Sequence, residues 1–191
     1  MFNQDNITTR PEDNMSGYHS TPISPATLGL ALLRLSPLMI SSASLMCAID
    51  QQNAFRSFLE PTLLEKPNNA MAHIVVHWFA AFARPTKWVI MLAYPFALIL
   101  AFINSFGAAG SQLHPQTKFF YTIGGILSIL HFRFGAWSMQ WNARISNKEN
   151  IGKKNEDALR GWLGNNYTRM LWVNIPAWLM FVCATATFLR L

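Results

Sequence analysis

The chain has 191 residues, of which 51% are hydrophobic and 13% charged, with a net charge of +6. A soluble domain carries about 25% charged residues, and here the charges collect in short segments between long apolar runs. Two sizeable domains and an ordinary water-soluble core are therefore excluded. So is a nucleic-acid surface, because the basic residues flank apolar runs instead of forming one patch interleaved with aromatics.

Residues 1–25 are rich in Asn, Ser, Thr and Pro and read as a mobile polar tail. They hold Asp5, Glu12 and Asp13 and no apolar core of a signal peptide, so the first helix is expected to direct insertion. Residues 26–191 read as one transmembrane domain. Its first span covers 27–49, contains Arg34 and Pro37, and ends on Asp50, Gln51 and Gln52. A second stretch, Ala70–Ala83, is apolar but too short to cross about 30 Å of hydrocarbon. With His73, His77 and Trp78 on it and Arg84-Pro85 behind it, it reads as an interfacial or re-entrant helix.

The second span covers 88–106 around Pro95, the third 119–141 with His131 and Arg133, and the fourth 170–189 with Asn174 and Pro176. Between the last two lies the most polar stretch of the chain, 142–166, expected as a solvated loop. The fold class is all-α, an integral membrane four-helix bundle with a short interfacial helix before the second span. Cys47 and Cys183 fall in apolar runs at different depths and are expected as free thiols.

Ten Lys and Arg residues fall in the two long connections, against three in the tails and the short one. By the positive-inside rule both termini are lumenal and the long connections cytosolic, with the endoplasmic reticulum as the expected membrane. The sequons at Asn6 and Asn14 then fall on the lumenal side and the one at Asn166 on the cytosolic side.

Nearly all polar residues of the spans gather at the cytosolic end, which makes a cup among the helices the expected site. His73 and His77, four residues apart, share a helical face. They fit a metal-ligand pair, a general base, or headgroup anchors, and no carboxylate lies near them in sequence as a third ligand. Arg133 lies roughly 12 Å inside the cytosolic edge at 1.5 Å per residue, and no Asp or Glu occurs within the spans. It either snorkels to Asp50, Glu60 or a carbonyl, or faces the interior and holds an anionic ligand. Arg34 reads as snorkelling. His131, Gly135, Ser138 and Asn142 share a face, where glycine admits a neighbouring helix or a flat ligand.

The order Trp78, then Asn142–Ile145, then Trp162, Asn165 or Asn166, and Arg169 resembles the DUF1772 family of small four-helix membrane proteins, which includes fungal anthrone oxygenases. The likeness spans about residues 27–190. Phe82 and Arg84-Pro85 stand where that family has Tyr-x-x-Gly, and Phe134 and Asn142 remain of its Pro-Phe-Thr and Pro-Thr-Asn. The resemblance implies an enzyme of polyketide metabolism that oxygenates, or cyclises by base catalysis, a lipophilic aromatic molecule without a redox cofactor. His73, His77 or His131 would be the base, and Arg133 or Arg169 the cation. Asn142 would join these as a catalytic residue, and Trp78, Trp137, Trp141 and Trp172 would form the walls, with Asn165, Asn166 and Asn174 as polar contacts. No metal is expected. The partners are the substrate and the bilayer, with self-association open and no nucleic acid. The competing reading is a non-catalytic scaffold or accessory subunit.

Overall fold

The structure, a computed structural model, describes residues 24–61, 70–150 and 153–190. Apart from Ser24 and Pro25, the expected polar tail lies outside the described residues, as do Lys66 and the sequons at Asn6 and Asn14. Among the described residues, four helices are long and apolar enough to cross a membrane, and no strand occurs.

α1 (Pro25–Ser57) starts where a helix should: the Ser24 hydroxyl accepts from the Thr27 amide at 3.2 Å, and Pro25 occupies the first turn. Within α1, Pro37 cannot donate to the Leu33 carbonyl. The Ser36 hydroxyl takes that carbonyl at 2.8 Å and Asn104 Nδ2 at 3.0 Å, so the break becomes a tie to the next helix.

α2 (Ala70–Phe106) is continuous for 37 residues. The stretch 70–83 is therefore not a separate interfacial element but the first part of the second span. Arg84-Pro85 does not end it, because Val75 and Phe79 upstream bury against Phe55, Leu159 and Trp162 and hold that end helical. A tight turn follows, in which a Cβ at Gly110 would lie 2.2 Å from the Asn104 carbonyl oxygen, so only glycine fits.

The third span, Pro115–Ser146, is α3 (Pro115–Leu130), a 3₁₀ turn at His131–Phe134, and α4 (Gly135–Ser146). The fourth is α5 (Lys153–Arg169), a π turn at Met170–Asn174, and α6 (Ile175–Leu189). The stretch 142–166 is thus mostly helix and not a loop. In α5, Lys154, Asp157 and Arg160 are exposed, with Arg160 paired to Glu156 at 2.7 Å, while Ala158, Leu159, Trp162 and Leu163 pack inward.

α3 packs between α2 and α6, and α1 closes the ring against both. Two apolar cores result. At the end carrying the long connections, Phe55, Phe79 and Trp162 meet with ring centroids 4.8 to 5.6 Å apart. At the opposite end, Ala101, Tyr121, Phe181 and Ala184 pack together, and Gly124 lies so close to the Phe181 ring that a Cβ there would approach to 2.7 Å. Arg34 reaches the turn at this end of the bundle, as a snorkelling side chain does: it donates to the Ala109 carbonyl at 3.1 Å and stacks on Phe188.

Candidate functional site

Between these two cores the bundle interior turns polar. Gln51, His131, Asn166, Arg169 and Asn174 are all buried there. At this level two of the four spans leave regular α geometry and a third carries a proline. Pro95 follows Tyr94 in α2, the 3₁₀ turn begins at His131, and the π turn joins Arg169 to Asn174. Pro176 explains the last of these, since it has no amide to offer the preceding turn. The wider turn swings both Arg169 and Asn174 to the interior.

Arg169 is 5% exposed, and among the described residues no carboxylate pairs with it. Its Nη2 donates to Asn166 Oδ1, and Asn166 Nδ2 donates in turn to the Gln52 side chain at 2.8 Å and the Ala48 carbonyl at 3.2 Å. Arg169 Nε has no acceptor, and neither Asn142 Oδ1 nor Asn174 Nδ2 has a partner. Such atoms cost about 1–3 kcal/mol each when left without water or ligand.

A cavity of about 80 Å³ lies among α1, α2, α4 and α5, bordered by Gln51, Thr86, Lys87, Ser138, Asn142 and Arg169. It shares Gln51, Ile90 and Arg169 with a cavity of about 10 Å³ beside Cys47, and that one shares Ser44 and Tyr94 with another of about 10 Å³ beside Ser128 and Asn174. The three form a string that descends from the Trp162 end toward the middle of the bundle. Tyr94 borders the lower two, together with Ser44 in both and Asn174 in the lowest. His131 stacks on the Tyr94 ring with centroids 3.7 Å apart, and its Nδ1 lies 3.3 Å from Asn174 Oδ1.

The structure thus brings together His131, Asn142, Asn166, Arg169 and Asn174. Asn165 stands one step away, donating to the Ser138 hydroxyl at 2.8 Å. The others fall outside. Arg133 does not face the interior; it is exposed, with its guanidinium 5.3 Å from the Trp137 ring centroid. Arg133 stands two residues past His131, and two helical residues turn the chain by roughly 200–240°, so with His131 buried Arg133 falls on the outer side. His73 and His77 lie on the exposed side of α2, and among the described residues no three His, Cys, Asp or Glu side chains converge.

Trp137 and Trp172 face outward, and Trp172 is 69% exposed. Trp78 stacks on Phe82 and Trp141 lies against Gly161, both at the apolar core of the long-connection end. Gly135 has nothing within 4 Å of where a Cβ would stand, so it admits no close helix; Gly124 and Gly125 do. The sequence reading missed Tyr94, although a tyrosine in mid-span must find a polar partner for its hydroxyl. Cys47 and Cys183 are free thiols, and Cys47 accepts from Gln51 Nε2 at 3.3 Å.

No family profile and no solved structure matches the chain. Curated relatives do. The chain is 34% identical over 159 residues to the probable epoxidase scpX of Mollisia scopiformis, covering 83% of this chain and 96% of that protein. It is 29% identical over 157 residues to the epoxidase pydX of Acremonium sp, covering 82% and 94%. It is 28% identical over 173 residues to the oxaleimides biosynthesis cluster protein N of Penicillium oxalicum, covering 88% and 96%.

Proposed function

The chain belongs to the family of fungal biosynthetic proteins that includes the probable epoxidase scpX, and from that premise we propose that it is a membrane-embedded tailoring enzyme of secondary metabolism. It oxygenates a lipophilic, polyketide-derived or aromatic intermediate. Its relatives' names point to addition of oxygen across a double bond. The resemblance to the anthrone oxygenases points to a substrate carbon that reacts with dioxygen once deprotonated. The membrane is that of the endoplasmic reticulum, with both termini lumenal and the long connections cytosolic.

One observation carries this reading. A string of cavities, bordered by Arg169, Asn142, Tyr94 and Asn174, leads into the middle of the bundle between its two apolar cores. Polar groups held in hydrocarbon are costly and mark a functional interior. Tyr94, backed by His131, is the group placed to exchange a proton with a molecule in the lower cavities, and Arg169 is placed to stabilise negative charge above it. His131 then acts through Tyr94, as a positioning residue.

The size of the cavities favours a second reading. A ligand pocket usually measures about 300–1,000 Å³, whereas the largest cavity at this site is about 80 Å³. Either α2 and α4 part to admit the substrate, or the chain serves another enzyme as an accessory subunit. Deleting the gene and feeding the accumulated intermediate to membranes holding only this protein tests both. An enzyme converts an intermediate lacking one oxygen atom. Conversion that needs a second protein of the cluster establishes the accessory role, and an unchanged metabolite profile overturns both readings.

A further inference from the structure

The upper cavity is cationic. Arg169 and Lys87 both border it, the Lys87 ammonium lying 5.4 Å from the ring centroid of exposed Trp88, and no Asp or Glu is among its lining residues. Arg169 is 5% exposed, its Nε is unpaired, and Asn142 Oδ1 beside it is unpaired too. A buried guanidinium with nothing to neutralise it is expensive, so proteins pair such groups. Here Asn166 orients Arg169 through a neutral amide and leaves the charge uncompensated. The remaining boundary is apolar and aromatic: Phe79, Phe82, Ile90 and Trp162. A planar guanidinium matches a pair of oxygens that share a negative charge. An amide beside it either accepts from a hydroxyl or, turned over, donates to a carbonyl.

We propose that this cavity is an anion subsite that takes the acidic oxygen pair of a lipophilic substrate, a carboxylate or the enolate of a 1,3-dicarbonyl. Arg169 is its partner, Asn142 its second contact and Lys87 a second cation on its border. The proposal rests on the reading of the chain as a protein that binds a lipophilic small molecule. It adds that the molecule carries an acidic head, and that this head, not the reacting carbon, lies against Arg169. The same oxygen chemistry belongs to the head of an anionic lipid.

The test is binding by full-length protein in phosphatidylcholine nanodiscs, read by tryptophan fluorescence. The probes are an alkyl-chained 2-acyl-1,3-cyclohexanedione, which ionises, and its enol methyl ether, which does not. The wild type should prefer the acid by about tenfold or more, the scale of one charge-assisted contact. Arg169→Gln should abolish the preference while still binding the ether, and Arg169→Lys should keep only part of it. Retained binding of the ether shows that a variant is folded.

Equal affinity of the wild type for the two probes, no binding of the acid, or an undiminished preference in Arg169→Gln overturns the subsite. If phosphatidic acid in the discs removes the preference, the site belongs to a lipid and the substrate assignment falls. Because the assay reads binding, its failure is distinct from failure of the oxygenation reading, which the deletion strain reports.

Discussion

Asn166 Nδ2 donates to Gln52 of α1 while its Oδ1 accepts from Arg169, so one amide fastens the fourth span to the first and aims the buried guanidinium. Asn166→Asp is nearly the same size but supplies the carboxylate that Arg169 lacks. A closed ion pair at that point should suppress turnover by about tenfold or more, as a lost charge-assisted contact would. Because aspartate cannot donate to the Ala48 carbonyl, thermal stability should fall by about 1–3 kcal/mol, and turnover is compared per folded protein. Product formation in membranes at matched protein levels is the measurement, and full activity would show that the charge of Arg169 need not be free.

Arg133 and Arg169 should separate cleanly. Arg133 is exposed on Trp137, and Arg169 is buried at the cavities. Arg133→Leu should retain most of the turnover. Arg169→Leu should lose it without loss of thermal stability, since replacing a buried uncompensated charge by a hydrocarbon is often neutral or stabilising. The reverse ranking in the same turnover assay would return the catalytic cation to Arg133.

The Asn104 amide donates to Leu33 and Leu100 carbonyls at 3.0 and 2.9 Å. Asn104→Ala should destabilise by about 0.5–1.5 kcal/mol, the net worth of a hydrogen bond whose acceptor keeps another donor, since the Ser36 hydroxyl still reaches the Leu33 carbonyl. Thermal unfolding in detergent measures it. A double variant with Pro37→Ala should recover part of the loss, because alanine restores the helical donor to Leu33. No recovery would mean that Asn104 acts elsewhere.

Two glycines predict opposite outcomes. A Cβ at Gly124 meets the Phe181 ring at 2.7 Å, whereas at Gly135 it meets nothing within 4 Å. Gly124→Ala should cost about 1–3 kcal/mol by overpacking. Gly135→Ala should be neutral or stabilising by up to about 1 kcal/mol through helix propensity. Equal unfolding temperatures for the two variants would contradict the close approach of α3 and α6.

The proposed orientation is checked by labelling single cysteines placed at two exposed positions, Lys148 after α4 and Gln112 in the turn before α3. From the ten-to-three basic bias, position 148 is predicted to be cytosolic and position 112 lumenal. An impermeant maleimide applied to sealed microsomes should reach only position 148. Reaction at position 112 alone would invert the topology.

The number of spans and the all-helical class were legible in the sequence, because apolar runs of about 20 residues have no other stable form in a bilayer. The polar layer was legible too, in Asn142, Asn166, Arg169 and Asn174 near the span ends, since polar side chains in such runs need a reason to be there. Tertiary structure decided the rest. The 142–166 segment looked like a loop because its charges dominate its composition, yet Trp162 and Leu159 had Phe55 and Phe79 to bury against. Helical spacing alone could not separate Arg133 from Arg169. The π turn changes the angular step so that Arg169 and Asn174 both face inward, and only the packed bundle shows that His131, and so not Arg133, lies on the inner side of the third span.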